Sequence, residues 1–286
     1  MKDVVSALDL ISWKKILLKK GGAKNELDWL LKVGAGLTAQ DIHNCFVSPE
    51  SNLNINFSLV ELEKIWEEFI NTHKPLQYIL GKTPWRDFTL FIDENVLIPR
   101  PETELIIDYA LEKKNINKWV DLGTGSGAIA IALARELKDT EGHAVDCSKK
   151  ALKIAKKNMQ ILCNNSNVEF HYGDWWEPLS SHFEYFDLAV ANPPYIPEKL
   201  FNQLEPNVKN FEPSIALNGG KDGLDSILEI INSGIKAIKS SGWLIIENHF
   251  DQSDKVLKIM NEKGFTNLDF KKDLRGVRRF AIGQKP

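Results

Sequence analysis

Apolar residues recur at helical spacing in about the first 75 residues of the chain. The period is clearest in SLVELEKIWEEFINTHK, where Leu62 and Trp66 stand one helical turn apart. Ser58 followed by Glu61 is the capping-box pattern that begins such a helix. The same spacing predicts further helices in MKDVVSALDLISWKK, NELDWLLKVGAG and TAQDIHNCF. We therefore predict a small helical domain over residues 1–75.

From residue 116 onward, short apolar runs alternate with amphipathic segments. The predicted strands are KWVDLG, GHAVDCS, VEFHYGD, FDLAVANPP and GWLIIEN, followed by a closing β pair in GFTNLDFKKDL and RRFAIGQ. The predicted helices include GAIAIALARELK, KKALKIAKKNMQIL and GLDSILEIINSGIKAIKS. This alternation predicts the α/β fold class, with a mostly parallel seven-stranded sheet and helices on both of its faces. In such sheets, ligands bind at the carboxyl ends of the strands.

A different pattern lies between these two regions. In residues 76–100, Gly81 and Pro84 punctuate two short β-prone runs, which predicts a β-hairpin that serves as a linker. Pro101 suits the first turn of a helix that follows. We predict that the larger domain occupies residues 101–286.

Composition excludes several classes of function. The longest apolar run, AIAIALA, is too short to span a bilayer, and the charged N-terminus does not have the pattern of a signal peptide. The net charge of −3 argues against a dedicated DNA-binding protein. The cysteines and histidines are widely spaced in the sequence, so we expect free thiols, a cytoplasmic location and no metal site.

A glycine-rich loop joins the first predicted strand of the larger domain to its helix. Gly123, Gly125 and Gly127 allow a sharp turn and a close ligand, and the helix N-terminus can bind an anion. The spacing G-x-G-x-G leaves NAD open, because the dinucleotide fingerprint tolerates an alanine at its last position. Asp146 ends the next strand and can accept hydrogen bonds from ribose hydroxyls. GDWW, after the third strand, offers an aspartate or a tryptophan to an adenine ring.

VANPPYIP ends the fourth strand with an amide, two prolines and an aromatic ring. The side-chain oxygen of Asn192 and the backbone carbonyl of Pro193 are two acceptors that suit one –NH₂ group, and Pro193 and Pro194 restrict the backbone there. Tyr195 can stack on a flat group that carries this –NH₂. Because a planar amide is a poor nucleophile, holding both N–H bonds aims the nitrogen lone pair at an electrophile such as a sulfonium methyl group. Positioning of this kind can supply ~7–11 kcal/mol.

Several ordered motifs make the chain resemble a known family. NPPY after the fourth strand, with DLGTGSG before it, resembles the class I S-adenosylmethionine-dependent methyltransferases that modify planar nitrogens, with their Rossmann-like domain. From about residue 76 to the C-terminus, ILGKTPW, LIPRPETE, GDWW, FEPSIALNGGKDGL and DLRGVRR narrow this to a resemblance to the release-factor glutamine methyltransferases, the HemK/PrmC family. One departure is ENHF, where His249 replaces a glycine that is usual in the family.

The resemblance implies an activity, a cofactor and a partner. The family transfers a methyl group from S-adenosylmethionine to the side-chain nitrogen N5 of the glutamine in the GGQ motif of peptide chain release factors. It implies that the cofactor contacts Gly123, Thr124, Gly125, Ser126, Gly127, Asp146, Trp175 and Asn192. It implies that the glutamine is held by Asn192, Pro193, Pro194 and Tyr195, of which Asn192, Pro193 and Tyr195 are the catalytic candidates. We expect the helical domain to bind the release factor, and a monomer without a stable nucleic-acid partner or a membrane.

Four alternatives remain open on sequence grounds. A nucleic-acid adenine N6-methyltransferase also acts on an –NH₂ group of a flat ring, but the net charge weakens it. A ribosomal-protein glutamine methyltransferase typically differs where this chain has PRPETE. A non-catalytic cofactor-binding module does not need an intact NPPY, and an NAD-dependent oxidoreductase gives no reason for it.

Overall fold

The computed structural model describes residues 3–286, which divide into two compact units. The first unit comprises the chain up to Pro84 together with Pro206–Phe211, and the second comprises Trp85–Glu205 and Glu212–Pro286. The main division thus falls within residues 76–100.

The first unit is mostly helical. Its elements are β1 (Asp3–Ser6), α1 (Ala7–Lys20), α2 (Lys24–Val33), α3 (Ala39–Val47), β2 (Asn52–Ile55), α4 (Leu59–Thr72) and α5 (Leu76–Leu80). The capping box predicted at Ser58 and Glu61 is confirmed: the Ser58 side chain accepts from the Glu61 amide, and the Glu61 carboxylate accepts from the Ser58 amide at 2.8 Å. Leu62 and Trp66 are fully buried in the core of this unit.

The N-terminal segment differs from its predicted helix. Residues Asp3–Ser6 form a strand that pairs antiparallel with β2, and helix α1 begins only at Ala7. The Ser6 hydroxyl accepts from the Asp9 amide at 3.1 Å and caps that helix. Val4 and Val5 therefore lie before the helix, and β-branched residues such as these favour a strand. The first two residues of the predicted helix lie outside the described residues.

The second unit is built on a seven-stranded sheet. Its elements are β3 (Lys82–Trp85, which straddles the unit boundary), β4 (Phe88–Phe91), α6 (Leu105–Leu111), β5 (Lys118–Leu122), α7 (Ala128–Glu136), β6 (Glu141–Asp146), α8 (Lys149–Leu162), β7 (Val168–Tyr172), β8 (Phe186–Ala191), α9 (Glu198–Phe201), α10 (Pro206–Phe211, counted in the first unit), α11 (Asp225–Ala237), β9 (Ile238–Glu247), α12 (Ser253–Glu262), β10 (Thr266–Lys272) and β11 (Arg278–Gln284). Strands β3 and β4 form a separate two-stranded sheet.

The order of the large sheet is β10-β11-β9-β8-β5-β6-β7. Strands β7, β6, β5, β8 and β9 pair in parallel, and β11 runs antiparallel to both β9 and β10. The predicted mostly parallel sheet of seven strands is therefore confirmed. Strand β5 lies between β6 and β8, so the strand order reverses beside it, and ligands bind at such a reversal.

The core explains why the central strands read as continuous apolar runs. Residues 188–191 of β8 have no exposed surface, as expected for a strand that is covered on both faces. The helix predicted for GLDSILEIINSGIKAIKS ends earlier than its pattern suggests, because Ile238 adopts extended geometry and pairs with Phe186. Within the described part of the chain, every helix is too short or too polar to cross a bilayer.

Candidate active site

A cavity of about 520 Å³ lies at the carboxyl ends of β5, β6 and β8. Its wall is formed by residues from 95–99, 123–129, 146–151, 173–175, 192–194 and 213–226, together with Thr103. Among the residues predicted to form a site, those on the wall are Gly123, Thr124, Gly125, Ser126, Asp146, Trp175, Asn192 and Pro194. Strand ends that are distant in sequence therefore converge on one cavity, at the reversal of strand order.

The glycine loop has left-handed backbone at Gly123, with φ of 78°, and at Gly125, with φ of 55°. A Cβ atom at Gly123 would lie 3.1 Å from the Trp175 ring, so this glycine is required for close packing. A Cβ at Gly125 would meet no atom of residues 3–286 within 4 Å. The backbone at Gly125 therefore borders open space in which a ligand can approach it closely.

The carboxylate of Asp146 is held by the loop that it faces. Its Oδ2 accepts from the Gly125 amide at 2.8 Å, and its Oδ1 accepts from the Ser148 amide at 2.8 Å. Burial raises the pKa of Asp146, and the two backbone hydrogen bonds oppose that shift. Each oxygen keeps capacity for a further donor, so this cavity-lining carboxylate can accept ligand hydroxyls.

Asp121, which sequence reasoning did not single out, supports the loop from beneath. Its Oδ2 accepts from the Thr124 hydroxyl at 2.6 Å and from the Ala130 amide at 3.1 Å, which joins the loop to the first turn of α7. Its Oδ1 is buried without a hydrogen-bond partner in the described residues, and burial raises the pKa of Asp121 to about 7. The available signal was a lone aspartate in an otherwise apolar strand end.

The two tryptophans of GDWW have different environments. Trp175 lies on the cavity wall with a φ of 45°, a conformation that is unusual for a bulky residue. Trp176 is buried, and its indole N–H donates to the Ile230 carbonyl at 2.9 Å. Trp175 is therefore the aromatic ring that can contact a ligand, while Trp176 belongs to the core.

Asn192 is the residue after β8, and a hydrogen bond holds the nitrogen end of its side-chain amide. Its Nδ2 donates to the Thr103 hydroxyl at 3.1 Å, and Thr103 is buried in the 3₁₀ turn Pro101–Glu104. The Glu247 carboxyl, at the end of β9, is buried close to this segment and accepts from the Tyr195 hydroxyl. Sequence reasoning missed Thr103 and Glu247, although Thr103 lies in LIPRPETE.

The residues that follow Asn192 are held in place by hydrogen bonds with buried side chains. The Tyr195 hydroxyl donates to Glu247 Oε1 at 3.1 Å, and burial raises the pKa of Tyr195. Gln252 Nε2 donates to the Tyr195 carbonyl at 3.0 Å, and a Cβ at Gly219 would lie 2.7 Å from the Pro194 carbonyl oxygen. Among the described residues, those that line the cavity do not include Gly127, Pro193 or Tyr195.

His249 contacts neighbouring residues of its own turn. Its Nδ1 lies 2.6 Å from Asp251 Oδ1, and its backbone amide donates to Gln252 Oε1 at 2.9 Å. Its ring centroid lies 6.4 Å from that of Tyr195. The imidazole therefore packs beside the Tyr195 segment and is not among the residues of the cavity wall.

Histidines that are far apart in sequence do meet elsewhere in the second unit. His143 Nδ1 lies 2.9 Å from His171 Nε2, while its Nε2 lies 3.0 Å from Glu141 Oε1. His182 packs against the same ring of His143. The linear spacing of histidines therefore gave a poor guide to their clustering.

Comparison with known proteins shows what this chain resembles. The model of the methyltransferase small domain matches residues 101–205. A release factor glutamine methyltransferase of Prochlorococcus marinus is 46% identical, with 98% of each chain covered. Another relative of that name, from Synechocystis sp., is 36% identical over 98% of this chain and 97% of its own length.

Solved structures show the same fold at low identity. The hMettl16 catalytic domain in complex with MAT2A 3'UTR hairpin 6 aligns with a TM-score of 0.57 at 14% identity, covering 93% of this chain and 94% of its own. A methyltransferase from Pyrococcus furiosus aligns with a TM-score of 0.52 at 15% identity, covering 80% of this chain and 99% of its own. At such identities the likeness shows the fold alone.

Proposed function

Since the chain belongs to the family of release factor glutamine methyltransferases, we propose that it methylates the side-chain nitrogen N5 of the glutamine in the GGQ motif of a peptide chain release factor. The proposed methyl donor is S-adenosylmethionine, as expected for a methyltransferase. One observation carries the proposal: Asn192, with one end of its amide bound to Thr103, borders the same cavity as the glycine loop and Asp146.

The cavity is suited to a nucleoside cofactor. Its volume of about 520 Å³ falls in the range of roughly 300–1,000 Å³ that is typical of small-molecule sites. Asp146 would accept from the ribose hydroxyls, Gly125 leaves space for close approach, and Trp175 would flank the adenine ring. S-adenosylmethionine, when bound, supplies an electrophilic methyl group on a positively charged sulfur.

The role of Asn192 is to orient the substrate amide. Its side-chain oxygen and the backbone carbonyl of Pro193 would accept the two N–H bonds of the glutamine –NH₂ group. This arrangement favours a geometry in which the nitrogen lone pair points at the reaction partner, so no base is needed before attack. One N–H proton leaves the nitrogen after the new N–C bond has formed. Catalysis then rests on positioning, which can supply ~7–11 kcal/mol. The hydrogen bonds on Tyr195 support a rigid pocket for the glutamine beside Pro193 and Pro194.

The direct test uses the protein with labelled S-adenosylmethionine and a purified release factor, followed by peptide mapping. We expect one methyl group on the glutamine of the GGQ motif and a parallel reaction with DNA or RNA that stays at background. A release factor carrying Gln→Ala in that motif is the matched control and should remain unlabelled. Label on nucleic acid but not on glutamine would refute the assignment.

We also propose that the first unit binds the body of the release factor. It carries large apolar side chains on its surface, including Phe46, Val47 and Val60, each more than 60% exposed. Contiguous exposed apolar patches are common in recognition surfaces, and Phe46 and Val47 are adjacent in the chain.

We further propose that the protein works in the cytoplasm as a monomer, without a stable nucleic-acid partner. The net charge of −3 and the three free cysteines support this view. Sedimentation of the purified protein at several concentrations measures its oligomeric state directly; a sedimentation coefficient that rises with concentration would contradict the monomer.

A further inference from the structure

Three side chains with the chemistry of metal ligands meet on β6 and β7, apart from the cavity described above. His143 pairs with Glu169 in the parallel register of these strands, and His171 lies two positions beyond Glu169. Since side chains two apart in a strand point to the same face, all three share one face of the sheet. One ligand atom from each side chain lies within 4.8 Å of the other two. None of the three is among the described residues that line the cavity.

The distances within the cluster are close to those of a metal site. His143 Nδ1 lies 2.9 Å from His171 Nε2, and His171 Nε2 lies 3.8 Å from Glu169 Oε2. In a tetrahedral site with metal–ligand distances of about 2.0–2.1 Å, neighbouring ligand atoms are about 3.3–3.4 Å apart. The first pair therefore needs to open, and the second to close, by roughly half an ångström around an ion.

His143 is held in the orientation that a metal ligand requires. It is 2% exposed, and its Nε2 lies 3.0 Å from Glu141 Oε1, which also accepts from the Tyr185 hydroxyl. An ionised carboxylate can only accept, so Nε2 carries the proton, and in the neutral ring Nδ1 turns its lone pair toward His171. A carboxylate bound to the outer nitrogen is the usual partner of a metal-binding histidine. Phe186 packs edge-on against the same ring.

A hydrogen bond from His171 to His143 would give the same short contact between their rings. Such a pair makes no use of Glu169, whereas a metal ion would bind its carboxylate together with the two nitrogens. The contribution of Glu169 to ion binding therefore distinguishes a metal site from a hydrogen-bonded pair of histidines.

We propose, against the expectation from the linear spacing of the histidines, that His143, His171 and Glu169 bind one Zn²⁺ or a similar divalent transition-metal ion. Two imidazole nitrogens and a carboxylate suit Zn²⁺, whereas Mg²⁺ prefers oxygen ligands. Glu169 and Glu141 together balance the two charges of the ion. The Glu169 side chain is 67% exposed, so the ion enters from solvent and a water molecule completes its coordination.

The site has a structural role that goes beyond the proposed function and does not depend on it. Strand β7 is at the edge of the large sheet, with β6 as its neighbour. An ion bound by His143 of β6 and by His171 and Glu169 of β7 joins the edge strand to the sheet. Because the fold is what brings these ligands together, ion binding stabilises the folded chain.

Calorimetric titration of the full-length protein with ZnCl₂ tests the site, after treatment with a chelator and exchange into metal-free buffer. We expect one Zn²⁺ per chain with a dissociation constant in the micromolar range, weaker than that of a closed site with four protein ligands. Titration with MgCl₂ under the same conditions should give no binding, since the site offers two nitrogens and one carboxylate.

Two variants and two matched controls locate the ion. His171→Gln should weaken Zn²⁺ binding by about 100-fold and Glu169→Gln by about tenfold, since loss of even an outer partner of a ligand typically costs about 10- to 100-fold. Both positions are partly open to solvent, so these variants should fold where a change at buried His143 could disrupt the core. His43→Gln and Glu262→Gln make the same chemical changes at exposed positions outside the cluster and should bind Zn²⁺ like the unmodified protein.

Thermal unfolding gives an independent measurement on the same proteins. Zn²⁺ in excess over its dissociation constant should raise the Tm of the unmodified protein and of both controls, and should leave the Tm of His171→Gln unchanged. Absence of Zn²⁺ binding by the unmodified protein, or equal affinity in His171→Gln, would overturn the proposed site. Full affinity in Glu169→Gln would overturn the site of three ligands. Methyl transfer to glutamine is measured separately, so its failure would overturn the proposed function and leave this site standing.

Discussion

The two sides of the cavity are built in different ways. On the glycine-loop side, Asp121 and Asp146 bind backbone amides and a hydroxyl within 21 positions of themselves. On the Asn192 side, Asn192 bonds Thr103 across 89 positions, and Tyr195 bonds Glu247 across 52. The first side is a local backbone structure, while the second exists only after the whole sheet has formed. We therefore expect the first side to govern cofactor affinity and the second to govern turnover.

Removal of the Asn192 side chain should give the largest effect. Asn192→Ala deletes one of the two acceptors that orient the substrate amide, so kcat should fall by about 10²- to 10³-fold, as when one oriented group is lost from an active site. S-adenosylmethionine affinity, measured by calorimetry, should stay within about tenfold. A variant with normal kcat would break the proposed division between the two sides.

Removal of the Asp146 carboxylate should weaken cofactor binding and leave kcat nearly unchanged. Asp146→Ala deletes the acceptor for ligand hydroxyls and leaves the Gly125 and Ser148 amides without their partner. The dissociation constant for S-adenosylmethionine should rise by about 10- to 100-fold. At saturating cofactor kcat should recover most of its value, and a large loss of kcat with unchanged affinity would contradict the comparison.

Gln252→Leu tests whether a residue outside the cavity wall stabilises the segment that follows Asn192. Gln252 Nε2 donates to the carbonyls of Tyr195, Asp222 and Gly223, at 3.0 to 3.2 Å. Leucine has a similar volume but leaves these carbonyls unpaired, so the free energy of unfolding should fall by about 1–3 kcal/mol. Thermal unfolding should show a lower Tm, with cofactor affinity unchanged for the folded protein. Equal Tm values for both proteins would show that Gln252 is not a support.

The smallest effect is expected in the first unit. Val60→Asp replaces an exposed apolar side chain with a charge, so the KM for an intact release factor should rise by about 3- to 10-fold while kcat stays the same. A short GGQ peptide lacks the body of the release factor, so its KM serves as the control. Identical KM values for the intact factor would remove Val60 from the proposed recognition surface.

The same comparison explains what the sequence could reveal. The glycine loop, Asp146 and the alternation of strands and helices are local patterns, and each was predicted from residues close together in the chain. Asn192 was recognised because its unusual neighbours, two prolines and a tyrosine, are also local. The seven-stranded sheet was predicted from the alternation of strands and helices, because such an alternation gives a mostly parallel sheet covered by helices.

The partners of Asn192 could not be predicted in this way. Nothing near Asn192 or Thr103 in sequence indicates that they meet, because their contact depends on the position of β8 in the sheet and on the turn before α6. The same limit explains the cluster of His143 and His171, which β6 and β7 bring together by their parallel register. The strand Asp3–Ser6 was missed for a related reason, since its partner lies almost fifty positions away.

The isolated Oδ1 of Asp121 has a thermodynamic consequence for the protein as a whole. Because the pKa of Asp121 is about 7 in the folded state and has its ordinary value of 3.8 in the unfolded chain, the native protein holds a proton there that the unfolded chain releases between these values. Stability from this residue is therefore greatest below about pH 4 and declines as the pH rises from there to about 7, the reverse of the usual behaviour of a salt-bridged aspartate. Unfolding at pH 5 to 6 should consequently release a proton from Asp121, so the residue that supports the glycine loop couples folding to proton binding.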